Sequence, residues 1–432
     1  MKMENQLEKR IKKIGWQAGD PSFWDYFNKE QPEIAIVAPP LDTVPSKTGN
    51  AIYVLVEKIA QNIAKPIVVL SRGPVKHNYS ISSVSYKILY YQGKTITPFV
   101  GRILPYKMRK QIWGSSIANV NMYFHSASQV CTQLKMNVAI LEDVTQGVLQ
   151  FNKQSSLLHL ILHQHNIGPL GLTEQKWKQT LERLDEIVFV SHNAENQVEN
   201  KFGPITIKTN VIYNGVDLSW FDPNRWGSEV SKIRSEFNIP PNHRVLLYVG
   251  RLLPQKGVLE AMKAFSLANI PDLSFVIVGD TSRSNLTSDL NYVAKLKTEV
   301  ANMENQVLLV GNVSQEEIPA WYQMADVLVV PSIGEEGLPK VITEALAMGI
   351  PVIATDRGGN RELIRSEENG WLLLDAKNIE DFSKLLTKVF SDEDQLRKKK
   401  QTILAIDRCK MDQQRMVLGF TEIINRIATY GR

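Results

Sequence analysis

The sequence predicts an α/β fold built from two doubly wound, Rossmann-like sheets, and three observations carry that reading. Short β-branched apolar runs recur along the chain, as strands buried on both faces of a parallel sheet do. Longer amphipathic stretches alternate with them, which is the pattern of successive βα units. At 432 residues the chain exceeds one ordinary core, and the runs fall into two sets.

The first set places strands at 33–39, 66–71, 137–142, 157–162 and 186–191. The second places them at 244–250, 273–279, 306–311, 326–331, 351–355 and 370–374. The turn-rich stretch "NVIYNGVDLSWFDPNRW" (210–226) marks the join. The expected domains are residues 1–210 and 211–393. They are expected to face each other across a cleft. Residues 394–432 read as a helical segment packing back toward the first domain, and the polar stretch 281–291 as a surface loop leading into a helix.

Composition narrows the class. Apolar residues make up 43% and charged residues 22%, as in a globular enzyme rather than a disordered chain. Cys131 and Cys409 stand far apart with no CxxC partner, which argues for a reducing compartment and against a disulfide or zinc framework. The first twenty residues lack the apolar region of a signal peptide, and no run is long enough to span a membrane. The expectation is a cytoplasmic protein, at most peripheral at the inner membrane face. Charge is uneven: residues 1–210 carry 24 Lys and Arg against 16 Asp and Glu, a net +8, whereas the rest carry 26 against 29, a net −3. Such a basic half fits either a solvated face or a surface meeting an anionic acceptor or lipid. The mixed segment 104–113, with Lys107, Arg109, Lys110 and Trp113, could lie at such an interface or be a solvated helix face. No nucleic-acid partner is expected.

The stretch "EEGLPKVITEALAMGIPVIATD" (335–356) carries the chemistry. Pro339 suits the first position of a helix of about ten residues, and Gly349 and Pro351 suit its end. Glu336 then lies in the loop before the helix and Glu344 within it. A helix N-terminus attracts phosphate, while carboxylates accept hydrogen bonds from hydroxyls. A ligand with phosphate at its centre and a polyol on each side satisfies both, and a nucleoside diphosphate sugar has that layout. The plainer alternative is two solvated helix-end glutamates. "YVGRLLPQKG" (248–257) supplies Arg251 and Lys256 as countercharge, with Gly250 and Gly257 for tight turns. The Asp392 and Asp394 string reads as a surface loop rather than a metal site.

With "GRLLPQKG", "VIYNGVDLSWF", "MADVLVVPS", "EEGLPKVITEALAMGIPVIATDRGGNREL" and "NGWLLL", the chain resembles the retaining glycosyltransferases of family four, the group 1 type with the GT-B fold. The likeness is strong over about 185–390 and weaker over 30–185. It implies that Glu336 contacts the donor sugar, Glu344 the ribose, and that Arg251 and Lys256 hold the diphosphate. Gly337, Leu338, Pro339, Lys340 and Val341 would form the amide-rich tip, and Gly311 and Asn312 would border the nucleobase. Gly49 would replace the family's Gly-Gly loop. His163 would be the active-site histidine of the first domain, with His165 the runner-up and Asn166 beside them. The implied reaction is transfer from a nucleoside diphosphate sugar, UDP-sugar foremost, to a hydroxyl of a saccharide, glycolipid or other acceptor, with retention and without metal or other cofactor. A sugar-nucleotide epimerase and a catalytically silent sugar-nucleotide-binding protein are the alternatives on the same fold.

Overall fold

The computed structural model describes residues 2–20, 22–40, 44, 51–72, 86–92, 117–151, 158–166, 168–280, 287–301, 303, 307–366 and 368–430. Gly49, the 104–113 segment and residues 281–286 of the expected loop lie outside them. The chain divides into two compact units. One runs from the start to Val190, then takes in Ala194–Tyr213 and the stretch beginning at Met416. The other holds Ser191–Asn193 and Asn214–Arg415.

The strands of the first unit are β1 (Trp16–Ala18), β2 (Ile34–Val37), β3 (Ile67–Arg72), β4 (Tyr86–Tyr91), β5 (Val138–Glu142), β6 (His159–Gln164), β7 (Glu186–Phe189) and β8 (Lys208–Val211). They form one sheet in the order β1-β4-β3-β2-β5-β6-β7-β8. Only the β1–β4 pair is antiparallel. The strand order reverses between β2 and β5. Each of these two strands is buried along its whole length, as expected for strands covered by helices on both faces.

Sequence reading placed five strands in this unit, and the sheet has eight. β1, β4 and β8 were missed: β1 is three residues long, β4 is rich in tyrosine, and β8 is partly exposed with Lys, Thr and Asn. The strand expected at 157–162 lies at His159–Gln164 instead. His159 N donates to the Asn137 carbonyl at 2.8 Å, and the ladder pairs Val138 with His159 and Glu142 with His163. This register carries His163 inside the strand rather than beyond it.

The second unit contributes β9 (Arg244–Val249), β10 (Leu273–Val278), β11 (Val307–Gly311), β12 (Val327–Val330), β13 (Val352–Thr355) and β14 (Gly370–Leu373). All pairs are parallel, in the order β11-β10-β9-β12-β13-β14. Counting from β9, this is the Rossmann order 3-2-1-4-5-6, which opens a crevice where the order reverses, between the carboxyl ends of β9 and β12.

The terminal helix Gln413–Tyr430 supplies a buried stripe of Met416, Val417, Phe420, Ile423 and Ile424. These side chains share one cluster with Ile36, Ile161 and Val188 of the first sheet. Arg426 donates to Glu186 at 2.5 Å. Phe420 has no exposed surface, so Phe420→Ala should cost about 3–5 kcal/mol of stability, read from the urea midpoint. A loss below about 1 kcal/mol would mean that this helix is no part of the core.

Candidate active site

The crevice of the second unit is built from the loops after β9 and β12. β9 ends at Val249, and Gly250 follows with φ 152°. A Cβ on Gly279, just after β10, would lie 1.8 Å from the Gly250 carbonyl oxygen, so the ends of β9 and β10 meet only because Gly279 has no side chain. The Tyr248 hydroxyl donates to the Arg251 carbonyl at 2.8 Å and pins the loop from below. A short 3₁₀ turn, Pro254–Lys256, leads to Gly257 at φ 68°. There a Cβ would fall 1.9 Å from the Pro331 carbonyl oxygen, at the end of β12. Amides of Ile333 and Gly334 donate to the Gln255 carbonyl at 2.8 and 3.0 Å, joining the two loops directly.

This packing sets Lys256 Nζ 2.5 Å from Glu336 Oε1. The Ser332 hydroxyl donates to the same oxygen at 2.7 Å, and Thr355 Oγ1 donates to the Ser332 carbonyl at 2.7 Å. Behind the loop, Gly359 N donates to the Glu336 carbonyl at 3.0 Å. Side chains at Gly358 or Gly359 would strike the Glu336 and Gly337 carbonyls at 2.1 and 2.2 Å. The "DRGG" turn is therefore a brace for the Glu336 loop. Arg251, by contrast, is exposed.

The helix that follows runs Lys340–Ala347, eight residues rather than ten. Pro339 is its N-cap, with extended ψ 116°, not its first helical residue. Proline remains compatible there because its ring fixes φ and its missing amide donor is needed by no helical bond. At the far end Gly349 takes φ 76°, and Ile350 N reaches back to the Ala345 carbonyl at 2.9 Å, a left-handed closure. The first amides of such a helix lack intrahelical acceptors and carry its positive partial charge. Leu338 and Pro339 are buried, while Gly337, Lys340 and Val341 are half-buried.

Glu344 sits inside this helix, buried, with both oxygens engaged. Lys340 Nζ approaches Oε1 at 3.1 Å, one turn earlier, and the Tyr322 hydroxyl donates to Oε2 at 2.7 Å. Burial, with the Glu344 charge beside it, raises the Tyr322 hydroxyl far above its ordinary range, so it remains a donor. Gly311 closes β11 at φ 88° and accepts from Gly279 N at 2.8 Å, and Asn312 is exposed just beyond. Thus Arg251, Lys256, Glu336, the 337–341 tip and Asn312 lie on the loops or first helical turn after β9, β11 and β12, with Gly311 ending β11 and Glu344 one turn into the helix.

The first unit holds a second cluster, at the end of β5 and β6. His163 and His165 share a strand face by the period-2 rule, their ring centroids 4.0 Å apart. A single oxygen, Glu142 Oε2, lies 2.9 Å from His163 Nδ1 and 2.8 Å from His165 Nε2. Burial works to raise the Glu142 carboxyl, but the two imidazoles outweigh it and hold it down at about 2. Burial and the neighbouring ring lower His163. Burial also acts to lower His165, yet Glu142 and Asp143 overcome it and raise that ring. His163 has no exposed surface and packs edge-on against Phe420 at 4.8 Å. Of the two histidines, the runner-up His165 keeps some exposure, at 7%. His163 thus stands behind His165, because the β6 register moved it into the sheet.

The ligating atoms of Glu142, His163 and His165 lie within 4.8 Å of one another, the arrangement among the described residues that could hold a metal ion. Spacings of 2.8–2.9 Å to a shared oxygen are those of hydrogen bonds. Asp392 caps the Glu393–Thr402 helix through Gln395 N at 2.8 Å, and Asp394 pairs with Arg397 at 2.5 Å. The expected surface loop is thus a helix start. No helix among the described residues is long and apolar enough to cross a membrane.

Residues 229–403 match the family of glycosyl transferases group 1. Over 373 residues the chain is 26% identical to spore coat protein SA of Bacillus subtilis (strain 168), spanning 84% of this chain and 91% of that protein. Over 193 residues it is 38% identical to a UDP-Gal:alpha-D-GlcNAc-diphosphoundecaprenol alpha-1,3-galactosyltransferase of Escherichia coli, spanning 43% of this chain and 46% of that one. The crystal structure of Anabaena Alr3699/HepE in complex with UDP and glucose shares the fold, with TM-score 0.67 at 18% identity over 92% of this chain and 100% of that one. Both glutamates, the Arg251 and Lys256 loop and the 337–341 tip fall within the matched residues 229–403.

Sequence reasoning missed four supports: Ser332, Tyr322, Glu142 and the Gly358–Gly359 turn. Glu142 ends the run "NVAILE" and could have been found as a charge closing a buried strand. Tyr322 gave no signal, since it lies 22 positions from Glu344. The close approach at Gly257 makes a direct test. Gly257→Ala should lower the thermal midpoint and sharply reduce transfer, because the backbone of Pro331 must move to admit the methyl group. An unchanged midpoint would show that the two loops are not locked together.

Proposed function

We propose that the chain transfers a sugar from a nucleoside diphosphate sugar, UDP-sugar foremost, to an acceptor hydroxyl with retention of configuration, in polysaccharide, glycoconjugate or glycolipid synthesis. One observation carries the reading: Lys256 and Glu336 meet at the reversal point of the second sheet, where the Lys340–Ala347 helix begins. A cation, a carboxylate and an amide-rich helix tip at one strand-end crevice suit a diphosphate flanked by hydroxyls. The E. coli relative that acts with UDP-Gal and the UDP-bound HepE structure support the choice of donor class.

In this reading the Lys256–Glu336 pair is the resting arrangement. A docking diphosphate draws Lys256 toward its oxygens, and Glu336 is left to accept from a sugar hydroxyl while Ser332 holds it in place. Arg251, exposed beside the crevice, adds a planar fork for two phosphate oxygens. Glu344 takes the ribose hydroxyls, its remaining lone pairs oriented by Lys340 and Tyr322. As the glycosidic bond breaks, charge grows on the leaving diphosphate, and fixed cations and amides stabilise it. These side chains supply the countercharge themselves, so the reaction needs no metal. The protein works in the cytoplasm or at the inner membrane face.

Arg251→Ala and Lys256→Ala should each raise the barrier by about 2–4 kcal/mol, roughly 30- to 1,000-fold in kcat. Wild-type transfer should persist in chelator. Parental rates in both variants would remove the assigned roles. Epimerised sugar nucleotide released without acceptor would favour the epimerase instead.

A further inference from the structure

The Glu142 cluster performs no task in the donor chemistry above, yet it is among the most constrained places in the first unit. Glu142 and His163 have no exposed surface, and His165 is 7% exposed. Three ionisable groups enclosed this way are costly unless each charge is matched and each proton assigned. Here the hydrogen bonds assign the protons. A carboxylate oxygen can only accept, so both imidazoles must donate to Glu142 Oε2: His163 from Nδ1–H and His165 from Nε2–H. His163 is then left with a bare Nε2, buried without a partner beside Phe420. Glu142 Oε1 is likewise buried and unpartnered.

The backbone is held just as firmly. Asp143 sits at φ 55°, left-handed for a non-glycine residue. Its Oδ1 accepts from the amides of His165 and Asn166 at 2.9 and 3.0 Å and from Gln164 Nε2 at 3.0 Å, and its Oδ2 accepts from Asn166 Nδ2. Thr145 Oγ1 donates to Gln164 Oε1 at 2.9 Å. Asp143 therefore fixes where the 164–166 turn runs, and Glu142 fixes how the two rings stand on it. The cluster lies at the end of β5, where the strand order of the first sheet reverses, the place at which such sheets bind ligands. His165 Nδ1 has no hydrogen-bond partner among the described residues.

We propose that Glu142 is a positioning residue, whose single oxygen locks the tautomers of His163 and His165 so that His165 Nδ1 is the nitrogen offered to a sugar hydroxyl. The proposal rests on the glycosyltransferase reading for its ligand, but not for its proton assignment. His163 serves as a wedge: it donates inward, fills the space against Phe420 and keeps the His165 ring from turning over. The charged groups acting on His165 are Glu142 and Asp143, with the His163 ring beside it.

The experiment is ¹⁵N-histidine NMR of the full chain, paired with kinetics. In the parent protein His163 should appear as the neutral Nδ1–H tautomer, and His165 should carry a proton on Nε2. In Glu142→Gln the carboxylate charge that favours the protonated His165 ring is gone, so its titration should move to lower pH. Its pH–rate limb should move with it, and kcat should fall on the order of 10- to 100-fold with donor KM nearly unchanged. A role confined to stability would shift the melting temperature but leave the tautomers and the limb in place, and that result would overturn the proposal. If the variant does not fold, the parent spectrum decides: a His163 proton on Nε2, or a His165 without one there, defeats it. A parent chain with the expected spectrum but no transfer from any sugar nucleotide would count against the function and leave the tautomer assignment standing.

Discussion

The second unit depends on one constraint, the reversal of strand order between β9 and β12. Parallel neighbours send their connections to opposite faces at that point, and the loops diverge to leave a crevice. Across this crevice the backbones meet too closely for any side chain, at Gly257 against Pro331. The loops are thereby spaced by main-chain atoms alone. The backbones that carry Lys256 and Glu336 keep a fixed separation, so their side chains start from set anchor points when a charged ligand arrives.

The same order governs the first unit, where the reversal falls between β2 and β5. There the buried groups are a carboxylate and two imidazoles rather than a cation on a loop. Both sheets thus place titratable residues at the one edge where backbone packing leaves room for them. The supports differ in kind. The second unit uses glycines and helix amides, whereas the first uses side-chain hydrogen bonds from Glu142 and Asp143 around an unusual backbone turn.

Much of this was legible in the sequence because the signals were local. Buried parallel strands announce themselves as continuous apolar runs, so all six strands of the second sheet were read near their positions. Gly257, Pro339 and Gly349 are punctuation with a steric mechanism, and they bracketed the site to within a residue. What escaped was either weakly patterned or distant. β4 carries four polar or aromatic residues among six, and β8 is half-exposed. The 157–162 strand slipped by two because its apolar run begins before its ladder does, and that slip puts His163 inside the strand and His165 just past its end. Partners such as Tyr322 for Glu344 and Glu142 for the histidines are set by tertiary register, which no local pattern encodes.

The central claim is that the crevice beside Lys256 and Glu336 receives a nucleoside diphosphate sugar. A thermal-shift titration of the intact chain with UDP-, GDP- and ADP-sugars tests it most directly, since a ligand that binds only the native state raises the midpoint. The account predicts a saturable rise with one class, UDP-sugars foremost, that is lost in Lys256→Ala. No rise with any of them at millimolar concentration, or an equal rise in the variant, would contradict it.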